Sequence, residues 1–365
     1  MKILHIETGM NLYGGPQQVL YLLQGLRDRG MTNFLVCPNG SAIGQAATPY
    51  VDKLIHVDLH KGLNLGFYRD LREIFARERP DLVHVHSRRR GADWWAALAA
   101  RKAGIPAVVS RRVDNPEPGW LARWKYGMYT RVITISEGIR QVILHEGIPP
   151  SHVVTVRSAV DSAPYLHDCE CEEFRQTFGL PEESVTLAVI AQLIQRKGHR
   201  HLFAVLPEII RRHPETRVLV FGKGGLRQTL EDEVLRVGLK NHVLFAGFRT
   251  DLARWLPCVD IVVHPADMEG LGVSLLQASA SAVPVVATRA GGIPEAVEHG
   301  VTGLVIEPGD STGLQAAILT LLDAPEMRKT MGLAGRIRAS KEFSTSHMVE
   351  GNLAVYREAL GINQP

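Results

Sequence analysis

Glu269 opens a short run, Glu269-Gly270-Leu271-Gly272, that follows His264-Pro265-Ala266-Asp267-Met268 and leads into Val273 to Ala278. A carboxylate at such a place can accept hydrogen bonds from hydroxyl groups. The N–H groups of Gly270, Leu271 and Gly272, near the start of a helix, lie where anions are favoured. Lys197, followed by Gly198 and His199, supplies a compact cation suited to a phosphate on which charge develops as a bond breaks. In the first half, Asp81-Leu82-Val83-His84-Val85-His86 alternates imidazole and valine, so both rings project to one side of a strand near its carboxyl end. Gly14-Gly15 precedes a helix starting near Gln17, a second place where backbone N–H groups and the helix dipole favour an anion. A helix-capping acid, a satisfied core histidine and a tight glycine turn are the structural readings of the same residues.

Two nucleotide motifs nearly match. Gly9 and Gly14 have the spacing of the first two glycines of a P-loop, but Gly15 and Pro16 stand where its Lys and hydroxyl residue must be. Gly222-Lys223-Gly224-Gly225 follows a strand, yet Arg227 occupies the third glycine position of a dinucleotide fingerprint. No Asp-x-Asp pair for a divalent metal is present; the nearest, Asp267-Met268-Glu269, falls inside the Glu269 run described above and has another explanation there. Neither a metal nor a cofactor is expected.

These residues need a scaffold, and the chain spells one. Apolar, β-branched runs alternate with helix-length segments: Lys2–Ile6, Phe34–Cys37, Leu82–His86, Ala107–Ser110 and Val132–Ile135. The pattern restarts at Thr186–Ile190, Arg217–Phe221, Val243–Ala246, Ile261–Val263, Val285–Ala287 and Gly303–Ile306. Alternation of this kind implies parallel sheets, here two doubly wound α/β domains. Pro164, Pro181 and an acidic cluster from Asp168 to Glu173 mark a surface connection. The expected division is 1–168, 169–345, and an amphipathic helix in 346–365 that packs back on the first domain, across the interdomain groove.

The formal charge of +3 conceals an asymmetry: residues 1–165 hold 21 Lys and Arg against 14 Asp and Glu, and the remainder 20 against 24. Residues 84–125 carry nine basic and three acidic residues with Trp94, Trp95, Trp120 and Trp124 among them, which suits an anionic partner or a merely solvated face. The first strand is too short and polar for a signal peptide, and the uncharged stretch from Gly270 to Thr288 is broken by serines and Pro284, so no span is expected. Cys37, Cys169, Cys171 and Cys258 show no zinc-ligand spacing, and a reducing cytoplasm fits them best.

Together, Glu269 to Ala278, the later Gly291-Gly292-Ile293-Pro294-Glu295 turn, Gly14-Gly15, the His84/His86 strand, Lys197-Gly198-His199 and Gly222-Lys223-Gly224 resemble, in order, the retaining GT-B glycosyltransferases of family 4. The resemblance covers nearly the whole chain. It implies an interdomain groove, a sugar transferred from a nucleoside-diphosphate donor, with UDP favoured, and a glycan or glycolipid acceptor. His86, Glu269 and Lys197 would be the catalytic residues. Donor contacts would come from Gly14, Gly15, Gln192, Arg196, Gly222 and Arg249, and from Gly270, Leu271, Gly272, Val273 and Gln277. Acceptor contacts would come from Arg88, Arg89, Arg111 and Arg112, with peripheral association at the inner face of an anionic membrane and no nucleic-acid partner.

Three places depart from the family pattern: Gln277 stands where a second acid is usual, Gln192 where an arginine is usual, and Ser158-Ala159 replaces a common Asn-Gly turn. A non-catalytic nucleotide-sugar or membrane-binding protein and a nonhydrolysing nucleotide-sugar epimerase are the alternatives. Incubation with donor alone separates the epimerase, which would isomerise it.

Overall fold

The computed structural model describes residues 1–58, 65–86 and 91–362. The chain forms two compact units, Met1–Ala159 with Thr345–Pro365, and Val160–Ser344. The first holds strands β1 (Lys2–Ile6), β2 (Thr32–Pro38), β3 (Lys53–Val57), β4 (Leu82–Val85), β5 (Ala107–Arg111), β6 (Arg131–Thr134) and β7 (Val153–Thr155). The second holds β8 (Val185–Ile190), β9 (Thr216–Phe221), β10 (Val243–Gly247), β11 (Ile261–His264), β12 (Val285–Thr288) and β13 (Gly303–Ile306).

Both sheets are parallel and doubly wound, ordered β3-β2-β1-β4-β5-β6-β7 and β10-β9-β8-β11-β12-β13. Central strands such as β4 (LVHV) and β12 (VVAT) are buried throughout, as strands covered by helices on both faces must be. The chain order reverses between β1 and β4 in the first sheet and between β8 and β11 in the second. Crevices beyond the carboxyl ends of strands at such a reversal are where open α/β sheets bind ligands.

β3 and β7 were not anticipated. β3 reads KLIHV with Lys53 and His56 exposed, an edge strand without a clean apolar run, and β7 is only three residues long. The last helix, Thr345–Ala359, belongs to the first unit: Met348, Val349, Leu353 and Tyr356 join Leu22, Leu26 and Val108 in one core cluster. It lies so close to the helix Gly14–Arg27 that a Cβ on Gly25 would sit 2.5 Å from Val349. The second unit closes on itself where Val160 N–H donates to Phe343 O at 2.9 Å.

The cysteine spacing, read as fitting a reducing compartment, gives no sign of a bond that the fold contains. Cys169, just before the helix Cys171–Phe178, and Cys258, just before β11, form a disulfide across 89 positions of sequence, and Cys37 and Cys171 are free. Among the described residues no helix is long and apolar enough to cross a membrane.

Candidate active site

In the second unit, the turns after β8 and β11 bring Lys197 and Glu269 together. Lys197 ends a short 3-10 turn, Gln195–Lys197, and its Nζ pairs with Glu269 Oε2. The same oxygen lies 2.8 Å from His264 Nε2, while Gly270 N–H donates to Oε1 at 3.0 Å. Burial alone would raise the Glu269 pKa, but the His264 hydrogen bond and the Lys197 charge hold it well below the usual carboxylate range. The site therefore keeps a desolvated carboxylate with a cation against it.

The glycines here are structural necessities. Gly198 has φ +67°, and a Cβ on it would sit 1.7 Å from Pro265 O. Gly222, at φ +151°, would clash with Ala191 O at 1.9 Å. Close approach of three turns, after β8, β9 and β11, is thus written into the sequence. Gly272, at φ +89°, caps the helix Val273–Ala280, and Leu271 is buried beneath it. Gln277 lies half-buried on that helix and Gln192 half-buried just past β8. Arg196 O accepts from Asp267 N–H at 2.9 Å, linking the two loops through backbone. Arg249 is paired with Asp251, Nε to Oδ1 at 2.7 Å.

His264 was not singled out from the sequence, although it lies five residues before Glu269 at a strand end. His199 is buried beside it with neither ring nitrogen hydrogen-bonded, and burial, with His264 and Lys197 nearby, lowers its pKa to about 4. It is a neutral group under the site.

In the first unit, His84 and His86 do lie on one side of β4, with ring centroids 3.8 Å apart. His84 is satisfied in the core, Nδ1 2.6 Å from Tyr356 OH and Nε2 2.8 Å from Ser110 Oγ. His86, just past β4, meets His5 Nδ1 through Nε2 at 3.0 Å and has Arg112 Nη2 3.5 Å from Nδ1. Burial, then neighbouring imidazoles and Arg112, lowers the pKa of His86 well below its ordinary value. Ligand atoms of His5, His84 and His86 lie within 4.8 Å of one another, the one such group among the described residues, but these contacts already occupy most of their nitrogens.

Gly14 and Gly15 open the first helix, Gly14–Arg27, and do not form a turn ahead of a helix at Gln17; a Cβ on Gly15 would sit 3.6 Å from Arg112 Cδ, so the Arg112 side chain lies beside the start of that helix and beside His86. Its neighbour behaves differently. Arg111 is fully buried at the end of β5, paired with Glu117 at 3.2 Å and Glu146 at 3.3 Å, and donates to Val113 O at 2.8 Å. Expected among acceptor contacts, it is instead spent on the interior. Arg88 and Arg89 lie outside the described residues.

Residues 13–163 match the family described as Glycosyltransferase Family 4, and residues 170–338 match Glycosyl transferases group 1. A GDP-mannose-dependent alpha-(1-6)-phosphatidylinositol monomannoside mannosyltransferase of Mycolicibacterium smegmatis is 30% identical over 276 residues, 67% of this chain and 70% of that protein. A D-inositol 3-phosphate glycosyltransferase of Thermobifida fusca is 28% identical over 307 residues, 77% and 70% of the two chains. Among solved structures, a glycosyltransferase from Rickettsia africae superposes with a TM-score of 0.88 over 99% of both chains at 19% identity. Anabaena HepE in complex with UDP does so at 0.86, over 98% and 100%, at 20% identity. With the glycine turns, the Lys197–Glu269 pair and the two doubly wound units already in place, the chain belongs to the group 1, family 4 glycosyltransferases of GT-B architecture.

Proposed function

We propose that this glycosyltransferase works with retention and without a metal, moving a sugar from a nucleoside-diphosphate donor, a UDP-sugar first, to an envelope glycan or glycolipid. The observation that carries the reading is the Glu269 carboxylate, its side chain only 14% exposed, held between His264 and Lys197 beyond the ends of β8 and β11. With donor bound, Glu269 accepts hydrogen bonds from sugar hydroxyls, and Lys197 turns its charge to the diphosphate. As the sugar–phosphate bond breaks, Lys197 and the backbone N–H groups of the glycine turns stabilise the departing charge. The acceptor hydroxyl attacks from the same face and its proton passes to the leaving phosphate oxygen, which gives retention.

Calorimetry with UDP, GDP and ADP in the presence of EDTA tests the donor assignment. UDP binding in the absence of metal supports it, and the GDP-mannose-dependent relative makes GDP the informative competitor. Failure of all three to bind removes the donor site from this position.

We also place the enzyme at the cytoplasmic face of an anionic membrane. The helix Gly119–Tyr126 exposes Trp120 (69%) and Trp124 (57%) with Arg123, an amphipathic set suited to a headgroup layer. Lys125, by contrast, is buried against Asp93 and Glu117 and adds nothing to that face. Cosedimentation with anionic liposomes at low salt should weaken in Trp120→Ser/Trp124→Ser; a wild type that ignores such liposomes ends this part of the proposal.

A further inference from the structure

The surroundings of His86 decide which of its nitrogens carries the hydrogen. His86 Nε2 and His5 Nδ1 face each other at 3.0 Å, and the two rings are stacked at 13° with centroids 5.3 Å apart. Only one of two facing imidazole nitrogens can hold a hydrogen when both rings are neutral. The far side of His5 resolves the choice. Its Nε2 is buried without a hydrogen-bond partner, and so is Asn33 Oδ1 on the adjacent strand. In the β1–β2 register Asn33 pairs with Ile3, which places Asn33 and His5 on the same face two residues apart.

The Asn33 amide is oriented by its other end, because Nδ2 donates to Leu23 O at 3.1 Å. Oδ1 is therefore the atom left over, and an amide oxygen only accepts. Burial lowers the His5 pKa to about 3, and the neighbouring Asn33 side chain opposes that drop. A hydrogen on His5 Nε2 makes the two orphaned atoms a donor and an acceptor on one face of the sheet; the other tautomer would leave both as buried acceptors.

We propose that His5 and Asn33 are positioning residues that lock His86 as the Nε2–H tautomer and present its Nδ1 lone pair, beside Arg112, to the substrate. Asn33 Oδ1 takes the hydrogen of His5 Nε2, and His5 Nδ1 takes that of His86 Nε2. Arg112 Nη2, a donor only, stands 3.5 Å from His86 Nδ1 and favours a lone pair there. His84 is outside this chain, since Tyr356 and Ser110 satisfy both of its nitrogens. The group His86 meets is thereby defined: a sugar hydroxyl, which can donate to Nδ1, and not a phosphate oxygen, which cannot. What His86 meets rests on the glycosyl-transfer reading above; its tautomer does not.

The test uses the full-length protein labelled with ¹⁵N in histidine, with long-range ¹H–¹⁵N correlation at pH 7 and signals assigned from single-histidine variants. His5 and His86 should both appear as neutral Nε2–H rings. His5→Leu removes the acceptor and should shift the His86 signals and lower kcat about tenfold, the scale of one hydrogen bond. Affinity for UDP, read by calorimetry, should stay within twofold. His5→Asn, whose Oδ1 falls near the place of Nδ1, should recover most of the loss. A wild-type His86 carrying its hydrogen on Nδ1 overturns the proposal, as do equal kcat values and unchanged His86 signals in His5→Leu and His5→Asn. If His5→Leu does not fold, the wild-type spectrum and His5→Asn still decide. Expected tautomers in a protein that transfers no sugar would sink the reaction and leave the positioning chain standing.

Discussion

At the scale of single residues, Glu269 is held ionised by its neighbours against the effect of its own burial. Its folded pKa is lowered, so its contribution to stability is full above the unfolded value, near 4.5, and is lost as pH falls through the folded one. Transfer by the wild type should therefore show no acid limb from this group between pH 5 and 8. His264→Leu removes the hydrogen bond that most strongly lowers the pKa, and burial then pushes Glu269 upward. An acid limb in kcat/KM should climb toward neutrality in that variant. Glu269→Ala should lose at least about two orders of magnitude in kcat while keeping its far-UV dichroism, as expected for removing a preorganised electrostatic partner. A pH profile unchanged by His264→Leu would show that His264 does not set the state of Glu269. Glu269 and Lys197 were legible because each lies beside glycines after a strand. His264 and His5 were not, since a lone histidine in an apolar run carries no spacing that separates a core residue from a partner of the site.

At the scale of elements, the central strands were readable from their β-branched runs, and the edges were not. β3 and β7 lie at opposite ends of their sheet, where burial no longer demands continuous apolar sequence. The same limit misplaces charge. Arg111 and Lys125 count toward a basic first half in the sequence, yet the fold turns both inward, onto Glu117, Glu146 and Asp93. Lys125→Ala takes the buried cation from between Asp93 and Glu117 and should cost about 3–5 kcal/mol, the usual penalty for breaking a buried pair. The loss is read as a lower denaturant midpoint. Trp120→Ser and Trp124→Ser on the same helix should each stay within about 0.5 kcal/mol of the wild type, as exposed positions do. If Lys125→Ala proves equally neutral, the buried network contributes no net stability.

At the scale of the whole molecule, the order of strands and glycine turns was written in the sequence, whereas the bond between Cys169 and Cys258 was not. Nothing in a spacing of 89 residues announces it; the fold does, by placing the segment before Cys171–Phe178 against the turn that ends at Cys258. Arg254 fastens the same two segments independently, pairing with Glu170 and Glu173. Closing a loop of this length restricts the unfolded chain by roughly 4–5 kcal/mol on the chain-entropy account. Oxidised protein should consequently unfold at a higher temperature than protein kept in dithiothreitol, and Cys258→Ser should match the reduced wild type and ignore the reductant. Cys171→Ser leaves the bond intact and should retain the sensitivity. On the cytoplasmic placement proposed above the dithiol form is the working one, and transferase activity should then survive reduction even as the melting temperature falls. Native alkylation that labels Cys169 and Cys258 in oxidised protein, together with a melting temperature indifferent to dithiothreitol, would exclude the bond and leave Arg254 with its two glutamates as the tie between these segments.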